Sequence, residues 1–309
     1  MKKTLLLTGG SGMVGRNIRC HPRASEWKIL APTSQELNLL ASCDVHEYIE
    51  RTKPDLVVHA AGKVGGIAAN IAEPVSFLDH NLIIGRNVIM ASKQAGIKKL
   101  LNLASTCIYP RAAENPLSED LLLTGALEPT NEGYALAKIV ALKLCDYVRL
   151  ERPDFQYKTL IPCNLFGPHD KFDAQKSHLL PAIINKVHTA YTSGQDSVEI
   201  WGDGNARREF MYAQDLAEAV FRAADDMDTL PAAMNVGVGR DHTINEYYAA
   251  VAKVIGWGGK FVHDLTKPVG MARKLCDTSK QSAWGWHSNT SLEDGIAKTY
   301  EFYLETMRK

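Results

Sequence analysis

A tyrosine and a lysine four residues apart can carry acid–base chemistry. Tyr134-Ala135-Leu136-Ala137-Lys138 places such a pair in a stretch that reads as a helix from Asn131 to Leu150. At i and i+4 the two side chains share one helical face. An ammonium beside a phenol lowers its pKa from about 10 and steadies its anion, so the pair can pass a proton to a substrate oxygen. Ser105 follows the apolar run Leu100–Ala104 and can donate a hydrogen bond to the same oxygen. The three suit proton transfer coupled to hydride transfer. A Tyr-x-x-x-Lys spacing is also common on protein surfaces. Its weight here comes from its place in the chain, after a glycine-rich turn and a serine-bearing strand end.

That turn is Gly9-Gly10-Ser11-Gly12-Met13-Val14-Gly15, directly after the run Thr4–Thr8. Residues without a Cβ let the backbone approach a pyrophosphate, and the helix that follows offers free N–H groups at its positive end. The glycines fit both G-x-x-G-x-x-G (9, 12, 15) and G-x-G-x-x-G (10, 12, 15), so Gly9, Ser11, Gly12, Met13, Val14 and Gly15 are expected to hold a dinucleotide. An acidic ribose ligand should follow the second strand, about 20 residues on. The chain has Ala31-Pro32-Thr33-Ser34-Gln35-Glu36 there, with no Asp closing the strand and no Arg in the loop. The hydroxyls of Thr33 and Ser34, with Arg16 or Arg19, remain to bind a 2′-phosphate. On these residues the choice between NADP(H) and NAD(H) stays open.

Elements of the right kind surround these residues. Short β-branched runs at Thr4–Thr8, Lys28–Ala31, Leu56–Ala60, Leu100–Ala104 and Tyr157–Cys163 alternate with amphipathic stretches at Met13–Ala24, Asp44–Lys53, Val75–Ala95 and Asn131–Leu150. The runs are apolar on both faces, as strands covered by helices on both sides must be. The pattern predicts an α/β fold, a doubly wound parallel sheet of Rossmann type, over residues 1–165. Beyond Gly167-Pro168 the elements shorten: a helix near His178–Ser193, a strand Ser197–Trp201, a helix Gln214–Asp226 and a strand Met234–Val238. Thr243 caps a helix ending at Gly256, and Ser291-x-x-Asp294 opens the last one. A smaller substrate domain over 166–309 is expected, with segments near 213–240 returning to the main sheet.

Composition narrows the partners. The 309 residues balance 35 basic against 35 acidic side chains, which gives no reason to expect nucleic-acid or membrane binding. The apolar run Leu5-Leu6-Leu7 is cut short by Thr8-Gly9-Gly10, too early for a secretory leader. Six scattered cysteines without a C-x-x-C pair, and dispersed histidines, point to a reducing, cytoplasmic setting and no metal site.

Longer motifs carry a resemblance. Thr8-Gly9-x-x-Gly12-x-x-Gly15, Ser105 and Tyr134-x-x-x-Lys138 look like those of extended short-chain dehydrogenase/reductases. Ala61-Gly62-Lys63-Val64-Gly65-Gly66-Ile67, Ser105-Thr106-Cys107-Ile108-Tyr109-Pro110, Leu127-Glu128-Pro129-Thr130-Asn131-Glu132, Pro162-x-Asn164-Leu165-x-Gly167-Pro168-His169-Asp170, Ser177-His178 and Arg208-Glu209-Phe210 narrow it. They resemble the GDP-L-fucose synthase family, the GDP-4-keto-6-deoxy-D-mannose 3,5-epimerase/4-reductases, over nearly the full chain. The resemblance implies a homodimeric enzyme in which Cys107, as base, and His178, as acid, epimerise carbons acidified by the 4-ketone. Tyr134 then supplies a proton as hydride reaches C4. Alternation along an extended segment would put Ser105 and Cys107 on one side. Lys138 and His178 are also implied cofactor contacts.

For the nucleotide-sugar the resemblance points to Arg208 at the diphosphate, with Trp201, Lys186, Asn164 and Lys274 as further contacts and Lys267-Pro268-x-Gly270 close by. Two departures stand out. The family's NADPH users carry arginines where this chain has Ser11 and Ser34, and an arginine where it has Lys186. A lysine keeps the charge and loses the bidentate fork. A sister enzyme for another GDP-4-keto sugar, giving GDP-L-colitose or a heptose, would use the same reaction residues. A non-catalytic dinucleotide sensor on this fold would typically have lost Tyr134 or Lys138.

Overall fold

Three leucines in a row, Leu5-Leu6-Leu7, are all fully buried. They lie on β1 (Thr4–Thr8), the strand that enters the glycine turn. Successive strand residues face opposite ways. Leu5 and Leu7 join one core with Ile18, Leu216 and Val220, and Leu6 joins the other with Val45, Ile49 and Val88. The strand is apolar throughout because helices cover both of its faces. The structure, a computed structural model, describes residues 2–173, 177–267 and 271–308, and of Ile67 the backbone alone.

From β1 the chain runs through α1 (Met13–Cys20), β2 (Lys28–Leu30), α2 (Ser42–Thr52), β3 (Leu56–His59), α3 (Ile67–Ala72), α4 (Pro74–Gln94), β4 (Lys99–Leu103), α5 (Glu132–Glu151) and β5 (Gln156–Pro162). The remainder comprises β6 (Asn164–Phe166), α6 (Leu179–Ser193), β7 (Ser197–Trp201), β8 (Arg207–Arg208), β9 (Phe210–Tyr212), α7 (Ala213–Asp225), β10 (Ala233–Val236), β11 (His242–Thr243), α8 (Ile244–Ile255), β12 (Lys260–Asp264), β13 (Arg273–Lys274), α9 (Ser279–Ala283) and α10 (Leu292–Met307). The main sheet has six parallel strands in the order β10-β5-β4-β3-β1-β2. This is the doubly wound α/β sheet expected, with β10 at its edge beside β5.

Most expected elements appear within one or two residues of their bounds, β1 and β7 without change. The first helix is shorter than its pattern: α1 stops at Cys20, and Pro22–Glu26 form a 3₁₀ turn, because proline cannot continue a hydrogen-bonded helix. A separate hydrophobic cluster, including Phe166, Ile183, Val187, Ile200, Tyr247, Val251 and Ile296, is built from later residues. Thr243 does cap α8: its hydroxyl accepts from Glu246 N at 3.1 Å while Glu246 accepts from Thr243 N at 2.6 Å.

The sheet order reverses between β1 and β3, the point where open α/β sheets bind ligands beyond their carboxyl ends. Gly9 (after β1), Ala60–Gly66 (after β3), Ser105 (after β4) and Asn164 (after β5) all emerge along this edge. The loops there are tightly fitted. A Cβ on Gly9, whose φ is +74°, would lie 2.7 Å from Ala61 Cα. One on Gly15 would lie 2.2 Å from Gly9 O and 2.6 Å from Gly10 Cα, both backbone atoms. Gly15→Ala is therefore expected to displace the turn. It should cost about 1–3 kcal/mol, read as a lower Tm, and weaken NADPH binding about 10-fold or more. Gly12→Ala, whose Cβ would stand 3.4 Å from Gly9 O, should be milder in both measurements.

Candidate active site

Ser105 leaves β4 and caps a 3₁₀ turn, Thr106–Ile108, accepting from Cys107 N at 3.4 Å. Its O–H stays free to donate. Residues 106–108 are thus not extended, and the expected strand-like alternation is corrected. Ser105 and Cys107 are neighbours because one caps the turn that carries the other, with Cys107 Sγ 3.9 Å from Ser105 O. Cys107, Ile108 and Tyr109 pack with Ala135, Ile139 and Leu142 of α5, which seats the turn against the helix bearing Tyr134 and Lys138.

On α5, Lys138 lies 5.7 Å from the Tyr134 ring centroid and donates to Leu103 O at 2.9 Å. The sequence expectation of a lowered phenol pKa is reversed here. Burial, and then the neighbouring Cys107, hold Tyr134 well above its ordinary value, while the Lys138 ammonium is engaged by a backbone carbonyl. A protonated phenol is the form needed to give a proton to a developing alkoxide.

Burial pushes Lys138 down to about 8, with Cys107 acting the other way. Turnover is expected to fall as pH rises through about 8 and the ammonium is lost, checked by a pH–rate profile. The stability sign is opposite. An unfolded lysine keeps its proton to about pH 10.4, so between about 8 and that value the unfolded chain binds more protons. This group then makes stability rise with pH, and its burial cost is present in full below about 8.

Cys107 is buried, which raises its thiol pKa, and the Lys274 ammonium leads the opposing influences, ahead of Ser105 and Lys138. Lys274 reaches this region from β13, which runs parallel to β8 with Arg273 opposite Arg207 and Lys274 opposite Arg208. The two rows differ. Arg207 and Arg273 both pair with Asp241, at 2.9 and 2.5 Å. Arg208 and Lys274 have no carboxylate partner among the described residues; the Arg208 guanidinium donates to Arg207 O at 2.8 Å. Two cations without carboxylates suit a diphosphate.

His178 precedes α6, and burial, then Lys171, lower its pKa. A Cβ on Gly66 would stand 4.0 Å from Ser177 O, and one on Gly62 would stand 3.7 Å from Lys138 Nζ. The loop after β3 therefore runs past Lys138 and past Ser177, the residue before His178. Asn164 is partly committed, its amide donating to Glu209 O at 2.9 Å. Lys186 and Trp201 form their own group: Lys186 and Lys267 stand 5.3 and 5.7 Å from the indole centroid, and Trp201 is 57% exposed. Pro268 and Gly270 lie outside the described residues.

The glycine turn fits a dinucleotide. The first turn of α1 has neither a side-chain cap at Gly12 nor an acidic residue, so its N–H groups are left for an anion. Met13 and Val14 stand at its start, while Ser11 and Ser34 are both exposed.

Sequence reasoning missed several supporting residues. Asn81 of α4 accepts from Lys63 N at 2.8 Å and donates to Lys63 O at 3.0 Å, fixing the loop after β3. Asn81 is one of three polar residues buried on α4, with Asn87 and Ser92, so it had no distinct signal in the sequence. His59 bonds Thr8 Oγ1 at 2.8 Å, joining the ends of β1 and β3, and burial lowers its pKa to about 3. Asp241 had no signal at all.

The model of the NAD dependent epimerase/dehydratase family matches residues 5–237. The chain is 53% identical to a GDP-L-fucose synthase of Azorhizobium caulinodans, covering 98% of this chain and 96% of that one. It is 51% identical to a GDP-L-colitose synthase of Yersinia pseudotuberculosis, covering 97% of each. Among solved structures it is similar to a GDP-mannoheptose C4 reductase from Campylobacter jejuni with NADP bound, at a TM-score of 0.89 and 30% identity over 98% of both chains.

Proposed function

The chain belongs to the NAD dependent epimerase/dehydratase family, and on that premise we propose that it is an NADPH-dependent epimerase/reductase converting GDP-4-keto-6-deoxy-D-mannose to GDP-L-fucose. The observation that carries this reading is the seating of Ser105 and Cys107 on one turn against the Tyr134–Lys138 helix, beside a glycine turn shaped for a dinucleotide. When bound, the reduced nicotinamide supplies the hydride for C4. Ser105 and Tyr134 hold the C4 oxygen, Tyr134 gives it a proton, and Lys138 steadies the phenolate left behind. Cys107 and His178 remove and return protons at the carbons flanking the ketone. Arg208 and Lys274 receive the diphosphate, with Lys186, Trp201 and Asn164 as further contacts.

A second reading, a sister enzyme giving GDP-L-colitose from the 3,6-dideoxy sugar, is favoured by the colitose synthase lying as near in sequence as the fucose synthase. Incubating the purified protein and NADPH with GDP-4-keto-6-deoxy-D-mannose, and separately with its 3-deoxy analogue, decides between them. GDP-L-fucose is the expected product. If neither sugar drives oxidation of NADPH or of NADH, both readings fall.

The protein is expected to be a homodimer. Leu136, Val140, Tyr147 and Leu150 form an exposed stripe along α5, and Val75 of the adjacent α4 is 78% exposed; an apolar face of this kind suits a second copy. Six free cysteines, Cys20 and Cys43 among them exposed, support a reducing cytoplasmic setting.

A further inference from the structure

We propose that Arg19, on α1, is the residue that holds the 2′-phosphate of NADPH, in place of an arginine in the loop after β2. The inference rests on the dinucleotide reading of the glycine turn.

In folds of this kind the ribose 2′ position lies at the end of the second strand, where an acid selects NADH or a nearby arginine accommodates the phosphate. Here β2 ends at Leu30, and the residue that follows is Ala31. Arg19 reaches that point from the neighbouring helix. Its guanidinium donates to Gly10 O at 3.3 Å. A Cβ on Gly10 would lie 2.7 Å from Ala31 Cβ and 3.6 Å from Arg19 Cδ, so the arginine stem runs past the ends of both β1 and β2. Arg19 and Ala31 line one open cavity with Ala24, Ser25, Trp27 and Ile29.

The charge of Arg19 is uncommitted. It has no carboxylate partner among the described residues, and one of its five N–H donors is used. Arg23, one turn on, is by contrast paired with Glu26 and Asp225. The first acid after β2, Glu36, is turned back onto its own loop. It accepts from Thr33 N at 2.8 Å and Thr33 Oγ1 at 3.0 Å, which also removes Thr33 as a phosphate donor. Ser34 remains exposed and able to donate. The side chain of Arg16 lines a different depression, with Cys20, His169 and Arg19.

The test is titration of the full-length protein with NADPH and with NADH at fixed ionic strength, without sugar. Arg19→Met is expected to weaken NADPH binding by about 10- to 100-fold, the range for a charge-assisted contact. NADH binding should change less than about 3-fold, which also reports that the variant is folded. Arg19→Lys should recover part of the NADPH affinity. Equal losses for both cofactors would mean that Arg19 only braces Gly10, and would overturn the proposal. So would loss of NADPH selectivity in Arg16→Ala with none in Arg19→Met, or wild-type protein that prefers NADH. Wild-type protein that binds neither cofactor would instead remove the dinucleotide reading beneath it.

Discussion

Tyr134→Phe is expected to lower sugar reduction by about 1,000-fold while leaving solvent-deuterium uptake at the carbons beside the ketone within about 3-fold of wild type. General-acid catalysis by a placed side chain contributes about 100- to 10,000-fold, and burial keeps the phenol in the protonated form that can donate. Phenylalanine keeps the ring that packs beside Cys107 and Ile139, so loss of the hydroxyl is the dominant change. Ser105 would still orient the ketone. The measurement is NADPH oxidation alongside mass-spectrometric deuterium uptake from D₂O. Uptake falling in step with reduction would show that Tyr134 does more than protonate the C4 oxygen.

Cys107→Ser should do the reverse. Exchange is expected to drop by about 100- to 10,000-fold, with reduction of a sugar supplied already epimerised kept near wild type. A thiol titrates near pH 8.5, and the Lys274 charge works against the upward push of burial on Cys107. A serine hydroxyl in the same enclosure has no accessible anion. The change is nearly isosteric in a packed turn, so Tm should barely move. Exchange lost in Tyr134→Phe yet intact in Cys107→Ser would reverse the assignment of roles.

Much of this was legible before any coordinates. Leu5-Leu6-Leu7 followed by Gly9, Gly12 and Gly15 states a buried strand and a close backbone turn in residue types alone. The i, i+4 spacing of Tyr134 and Lys138 needs only a helix to become a shared face. What stayed hidden depends on contacts distant in sequence or on very short elements. Strands β8 and β13 have two residues each, too few for any period. The division of Arg207 and Arg273 from Arg208 and Lys274 appears only once Asp241 is placed. The turn at 106–108 was read as extended because a three-residue 3₁₀ segment has no periodic signature. The phenol pKa went the wrong way because the spacing shows that Lys138 is near but not that the phenol is buried. Cys107 and His178 owe their roles to resemblance, and their neighbours in space add a reason for the first more than for the second.

The turn that joins Ser105 to Cys107 also bears on timing. On the proposed roles, two reactions that could each need their own pocket would be served from opposite ends of one three-residue arc. A sugar that has just inverted a carbon is therefore already within the reach of the next step, and its escape competes with a very short reorientation. Commitment to product should be high: trapped early in a single turnover, the epimerised ketone ought to be scarce in solution relative to the finished nucleotide-sugar. Lengthening the arc by one residue would loosen that coupling before it harmed either reaction alone.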